Sequence, residues 1–208
     1  MIPKVKICGL TRAEDVRASV EAGADGVGFV FADGSPRRVE PQTARRLARE
    51  VPAGVLKFGI FADAPAHLVR ELAASVPLDV VQLHGDEPPR FAEELSDLVL
   101  VKAFRIRDAS SLDGIEEYRV WARLVDTYSP RGRGGTGETF DWEMALRVKR
   151  YGRLILAGGL GPENVAEAVR RVDPDWVDAS SSLETGPGAK DRAKIAAFVH
   201  LAKEAHAL

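Results

Sequence analysis

Cys8 and Asp126 are the residues of this chain best placed to move protons, because each closes a short apolar run where a loop begins. Cys8 is the single cysteine among 208 residues, so an intrachain disulfide is excluded and the thiol is either buried filler or reactive. It ends Val5-Lys6-Ile7-Cys8, just ahead of Gly9-Leu10-Thr11, with Lys6 two residues back on the same strand face. A thiolate acts as base or nucleophile where positive charge lowers its pKa from about 8.5, and Lys6 is near enough in sequence to supply that charge. Asp126 ends Trp121-Ala122-Arg123-Leu124-Val125-Asp126 and enters a long loop, Thr127 to Thr139. Partial desolvation there raises a carboxyl pKa toward the protonated form that general-acid work requires; the bland alternative is a capping or loop-stabilising aspartate.

Further polar residues collect at the same kind of position. Gln82 with His84, and Asp178 with Ser180, lie two apart at the ends of apolar runs, so each pair shares a strand face. Arg37, in Gly34-Ser35-Pro36-Arg37-Arg38, offers a planar guanidinium for a bidentate carboxylate clamp, with a solvated surface arginine as an equal alternative. Gly134-Gly135-Thr136-Gly137, Gly158-Gly159 and Ser180-Ser181-Ser182 follow successive runs and together resemble a phosphate cradle, because glycines let backbone N–H groups approach an anion. Singly, each glycine pair reads better as a turn; their joint position favours phosphate. Lys102, in Val101-Lys102-Ala103-Phe104, is a candidate Schiff-base lysine, weighed against an ion-paired or snorkelling role. Four scattered histidines and one cysteine make no metal site of standard spacing, so a positioning role for His84 is favoured over ligation.

These side chains need a scaffold that gathers strand ends. Apolar runs at 3–8, 26–31, 55–61, 79–83, 98–104, 121–126, 154–157 and 176–179 make eight strands, with helical patterns between them. Thr11-Arg12-Ala13-Glu14 reads as a capping box. Ala44, Leu47, Ala48 and Val51 follow helical spacing, as do Val165, Ala168, Val169 and Val172, and Ile195, Phe198, Val199 and Ala202. The alternation predicts an α/β (β/α)8 TIM barrel, as a single domain over 1–208, with a doubly wound open sheet as the other candidate. In such a barrel the polar set falls at the C-terminal ends of the strands, where active sites sit. A net charge of -2 and a pI near 6.1 give no electrostatic footprint for nucleic acid or membrane. With strand-like sequence beginning at Val5 and no run approaching the roughly 20 apolar residues of a membrane span, a cytoplasmic protein is expected.

Lys6-Ile7-Cys8-Gly9-Leu10-Thr11, Val80-Val81-Gln82-Leu83-His84-Gly85, Asp126-Thr127 with Gly134-Gly135-Thr136-Gly137 and Phe140-Asp141-Trp142, and Ala157-Gly158-Gly159-Leu160 with Pro162-Glu163-Asn164-Val165 resemble the phosphoribosylanthranilate isomerase family. The resemblance is ordered and runs from residue 4 to about 190. It implies a cofactor-free Amadori rearrangement of N-(5-phosphoribosyl)anthranilate in tryptophan biosynthesis, on a small phosphosugar substrate. It implies that Asp126 protonates the furanose ring oxygen and that Cys8 removes the C2 proton. Arg37 would hold the anthranilate carboxylate, Lys6, Gln82, His84 and Asp178 would position the sugar, and Gly134, Gly135, Gly137, Gly158, Gly159, Ser180 and Ser181 would hold phosphate. Where the family commonly has glycine after the paired serines, this chain carries Ser182. A homodimer is compatible with apolar helix faces that cover either the barrel or a neighbouring copy.

Overall fold

Alternation of inward and outward side chains builds the sheet, and hydrogen bonding closes it. A computed structural model describes residues 2–127 and 142–205. Its parallel strands are β1 (Lys4–Ile7), β2 (Gly26–Val30), β3 (Leu56–Phe61), β4 (Val80–Leu83), β5 (Leu100–Ile106), β6 (Ala122–Thr127), β7 (Leu154–Leu156) and β8 (Trp176–Ala179). They pair in chain order and β8 returns to β1, which makes a closed barrel and excludes the open sheet. Each observed strand lies within or across one of the eight apolar runs.

The two faces of each strand feed different cores. Phe58, Ile60, Val80, Val101, Ala103, Leu124, Ile155 and Trp176 fill the barrel together with Cys8. Val5, Ile7, Val27 and Phe29 point outward and pack on the helices α1 (Ala13–Glu21), α2 (Pro41–Ala48), α6 (Val165–Val172) and α7 (Arg192–Glu204). Phe61, Val81 and Leu83 do the same toward α3 (Ala66–Ser75) and α4 (Pro89–Glu94); α5 (Trp142–Lys149) precedes β7. Each buried Val, Leu, Ile or Phe side chain stabilises the fold by about 1.5–3 kcal/mol. The stripes foreseen on α6 and α7 are buried as expected, whereas Val51 falls just beyond the end of α2.

Two local expectations yield to other forces. Arg12, not Thr11, stands at the N-cap of α1, without a side-chain capping bond, and the Thr11 hydroxyl instead donates to the Gly188 carbonyl at 2.6 Å. Between β5 and β6 the chain makes two 3-10 turns, Ala109–Leu112 and Ile115–Glu117, in place of an α-helix. Asp108 caps the first turn through a reciprocal bond with Ser111, and Gly114 enters the second at φ 74°.

The floor of the barrel is fastened by aspartates that stand one residue before even-numbered strands. Asp25 Oδ2 accepts from Val5 N at 2.9 Å, Asp79 Oδ2 from Lys57 N at 2.8 Å, and Asp175 Oδ2 from Leu154 N at 2.8 Å. Above that floor Trp176 packs edge-on against Phe58 and Trp121. Beyond β8 a short antiparallel hairpin, β9 (Glu184–Gly186) and β10 (Ala189–Lys190), folds back toward α1. Its Lys190 N–H donates to Asp15, whose carboxylate also holds Arg12. Among the described residues no helix is long and apolar enough to cross a membrane.

Candidate active site

Lys6 is the hub of the mouth. Parallel pairing sets it opposite Asp178, and both side chains enter the barrel. Its buried ammonium donates to Asp178 Oδ2 at 2.8 Å and to Gln82 Oε1 at 2.9 Å. Gln82 Nε2 then meets His84 Nδ1 at 2.8 Å, and His84 Nε2 meets Asp126 Oδ2 at 3.3 Å. A polar chain therefore crosses the barrel from β8 through β1 and β4 to β6. Burial pulls the Lys6 pKa down, but Asp178 and Cys8 outweigh it and hold the ammonium above its ordinary range. Burial pushes the Asp178 carboxyl up by more than Lys6 draws it down. Asp178 Oδ1 is buried with no hydrogen-bond partner among the described residues.

Cys8 and Lys6 lie close enough for each to act on the other's charge. The charge does not win there: burial raises the thiol pKa, Lys6 and Lys190 lower it, Asp178 raises it, and the balance stays above the ordinary value. Gly28 on β2 makes room for the thiol, since a Cβ on it would stand 2.8 Å from Cys8 Sγ and 3.2 Å from Cys8 Cα. Asp126 is a more open group, with 33% of its side chain exposed.

Arg37 is held from inside the protein. Glu184 on the hairpin takes Arg37 Nε at 2.8 Å and Nη2 at 2.7 Å, a bidentate pair that stiffens the guanidinium. Lys190 donates to the same carboxylate at 2.9 Å and to the Ser180 carbonyl at 3.0 Å. Burial pushes Glu184 up, yet the bonds from Arg37 and Lys190 prevail and hold its carboxyl below the usual range. The bond to Glu184 raises Arg37 in turn, and burial draws Lys190 down. Gly9, at φ 74°, presses on this clamp, because a Cβ there would fall 2.5 Å from Arg37 Cδ.

The remaining candidates sort by position. Ser180 Oγ donates to the Cys8 carbonyl at 3.1 Å, which couples the ends of β8 and β1. Ser181 opens a single 3-10 turn, and Ser182 donates to the Leu160 carbonyl, which ties the loops after β7 and β8 together. Gly158 and Gly159 both take positive φ, 84° and 67°, in the loop after β7. Gly134, Gly135 and Gly137, with Arg131 and Arg133, lie outside the described residues. Lys102 is not at the mouth: it leaves the outer side of β5 to pair with Glu87 at 2.8 Å and to cap the Gly85 carbonyl at 2.6 Å. Among the described residues no group of three or more histidine, cysteine, aspartate or glutamate side chains could hold a metal ion.

Gly28, Glu184 and Lys190 escape a reading of the sequence. Gly26 and Gly28, two apart in an apolar strand, carry a signal of close approach on one face. Glu184 and Lys190 bracket Thr-Gly-Pro-Gly-Ala, a turn whose fold-back toward the mouth periodicity does not reveal.

A closed parallel barrel that brings a thiol, two carboxylates, a histidine and a lysine to the C-terminal ends of its strands defines a (β/α)8 barrel enzyme equipped for proton transfer. The model of the N-(5'-phosphoribosyl)anthranilate isomerase family matches residues 5–201. The chain belongs to that family. It is similar to the N-(5'-phosphoribosyl)anthranilate isomerase of Geobacter sulfurreducens, 50% identical over 96% of this chain and 98% of that protein. It also resembles a crystal structure of phosphoribosyl anthranilate isomerase in complex with reduced 1-(o-carboxyphenylamino)-1-deoxyribulose 5-phosphate. There the TM-score is 0.88 and the identity 37%, over 97% of this chain and 98% of that one. Monomers generated from the dimeric Thermotoga maritima enzyme match with a TM-score of 0.86 and 37% identity, over 97% and 98% of the two chains.

Proposed function

We propose that this chain rearranges N-(5-phospho-β-D-ribosyl)anthranilate into 1-(2-carboxyphenylamino)-1-deoxy-D-ribulose 5-phosphate, in tryptophan biosynthesis and in the cytoplasm. The observation that carries the reading is the polar chain that links Asp126, through His84, Gln82 and Lys6, to the neighbourhood of Cys8. Asp126 gives a proton to the furanose ring oxygen as the C1–O bond breaks. The anthranilate nitrogen lone pair forms the C1=N bond. The Cys8 thiolate takes the C2 proton, and the C2–H electrons neutralise the iminium to give an enolamine. Ketonisation moves the hydroxyl proton of C2 to C1, so substrate and product are isomers, and exchange with solvent returns a proton to Asp126 and takes one from Cys8 before the next turnover.

The clamp supports recognition of an aromatic carboxylate. Glu184 uses the Nε and Nη2 edge of Arg37, which directs the Nη1 side of the fork to a second carboxylate. The unpartnered Asp178 Oδ1 is an acceptor for a sugar hydroxyl. Gly158, Gly159, Ser180 and Ser181, with Gly134, Gly135 and Gly137, are assigned to the phosphate. We assign no cofactor to the reaction, and a homodimer like the Thermotoga maritima enzyme is the proposed assembly, which sedimentation equilibrium checks.

Loss of anthranilate-substrate fluorescence tests the reading. Cys8→Ala and Asp126→Asn each lose most of kcat, and full activity in either variant sinks it.

A further inference from the structure

We infer that Lys6 is a positioning residue that sets the tautomer of His84 through Gln82, so that the imidazole donates its hydrogen bond to Asp126. The inference rests on the reading of Asp126 as general acid and adds what governs the direction of its proton.

Each link of the chain admits one polarity. An ammonium has three donors and no acceptor, so the atom of Gln82 that meets Lys6 Nζ at 2.9 Å is its carbonyl oxygen. The amide nitrogen, which only donates, is thereby turned to His84 Nδ1 at 2.8 Å. Nδ1 must accept, and a neutral imidazole then carries its proton on Nε2, directed at Asp126 Oδ2 3.3 Å away. Lys6 is fully buried and Gln82 is 1% exposed, so water does not compete for the first link. Asp178 holds the other side of the same ammonium, so Lys6 cannot turn away from Gln82 without leaving a buried carboxylate unpaired.

The polarity decides where the acid sends its proton. With the tautomer reversed, Nε2 would present a lone pair to Asp126, and the imidazole would capture the proton meant for the sugar. In the direction set by Lys6 the Nε2–H occupies one oxygen of Asp126 and stabilises the carboxylate left behind, while the other oxygen carries the proton to substrate. The same ammonium stands beside Cys8, so one cation serves the acid through two relays and the base directly.

The test is long-range ¹H–¹⁵N correlation of histidine-labelled, substrate-free protein at pH 8, where the His84 signals among the four histidines are those missing in His84→Asn. Wild-type His84 is expected to show a pyridine-type Nδ1 and a protonated Nε2. Gln82→Glu keeps the shape but offers an acceptor to Nδ1, so Nδ1 gains a proton in that variant. Its kcat falls by at least tenfold and at most about 10⁴-fold, the whole contribution of a positioned general acid, while KM changes far less. A protonated Nδ1 in the wild type overturns the proposal, as does an unprotonated Nδ1 in Gln82→Glu. Gln82→Leu takes the donor from Nδ1 and leaves only Asp126 to bias the ring, so the preference for Nε2–H weakens, and a preference undiminished from the wild type counts against the relay. Because the tautomer is read without substrate, loss of the isomerase reading and loss of the relay are separate results.

Discussion

Replacing Lys6 by Met removes a cation that no solvent can replace. The side chain is fully buried, and its two bonds reach Asp178 at 2.8 Å and Gln82 at 2.9 Å. Methionine fills a similar volume, so the cavity term is small and the loss is electrostatic. Asp178 then keeps a buried charge whose Oδ1 is already unpartnered, and breaking such a pair from one side costs about 3–5 kcal/mol. At about 2–4 °C per kcal/mol for a domain of this size, Tm falls by about 6–20 °C. The sign of the pH dependence follows from Asp178, whose folded pKa is raised above the unfolded value. Its contribution to stability is therefore fully present below the ordinary carboxyl range and is lost as pH rises through the raised folded value. Loss of Lys6 moves that folded value higher still. The gap between wild type and Lys6→Met thus narrows as pH falls toward the ordinary carboxyl range and widens toward neutrality. Urea unfolding at a series of pH values measures it, and Lys6→Met/Asp178→Asn recovers much of the loss by removing the stranded charge. A penalty under about 1 kcal/mol at pH 7, or a double variant no more stable than the single one, refutes the reasoning.

Gly28→Ala forces a methyl to within 2.8 Å of Cys8 Sγ and 3.2 Å of its backbone, so it costs about 1–3 kcal/mol and lowers kcat; calorimetry with steady-state assay checks both. Glu184→Gln releases the Arg37 fork and is expected to raise KM for the anthranilate substrate more than it lowers kcat, whereas an unchanged KM refutes the clamp. Burial raises the Cys8 thiol and Lys190 opposes that rise, so loss of Lys190 lifts the thiol further. Lys190→Met slows alkylation by iodoacetamide at pH 8; faster alkylation contradicts the assigned direction.

What the sequence disclosed follows from period-two geometry. Lys6 with Cys8, Gln82 with His84 and Asp178 with Ser180 are readable as inward pairs because a strand leaves a residue no third direction. Their convergence is readable too, since a barrel brings strand ends together whatever loops follow. Lys102 was ambiguous only until the alternation on β5 was fixed by Val101 and Ala103, which face inward. The hidden parts depend on distant contacts. Arg37 and Glu184 are 147 residues apart, and nothing local in either segment announces the pairing. Thr11 has a good capping pattern, but the Gly188 carbonyl competes for its hydroxyl from across the chain. The Cys8 thiol shows a third kind of concealment: its acidity is a sum of burial and three charges, and sequence proximity revealed Lys6 alone.

The aspartate fastenings beneath the barrel divide it in a way that the mouth conceals. Asp25 joins β2 to β1, Asp79 joins β4 to β3, and Asp175 joins β8 to β7, while Trp121 stands at the matching place before β6. Three of the four strand pairs of the floor are thus latched by a carboxylate of their own, and the pair β5 and β6 is not, although the sheet above runs continuously. For recombination with other barrels this sets the grain of the molecule. A joint made between latched pairs transfers intact modules, whereas a joint made inside one severs a latch and leaves a carboxylate facing a foreign strand.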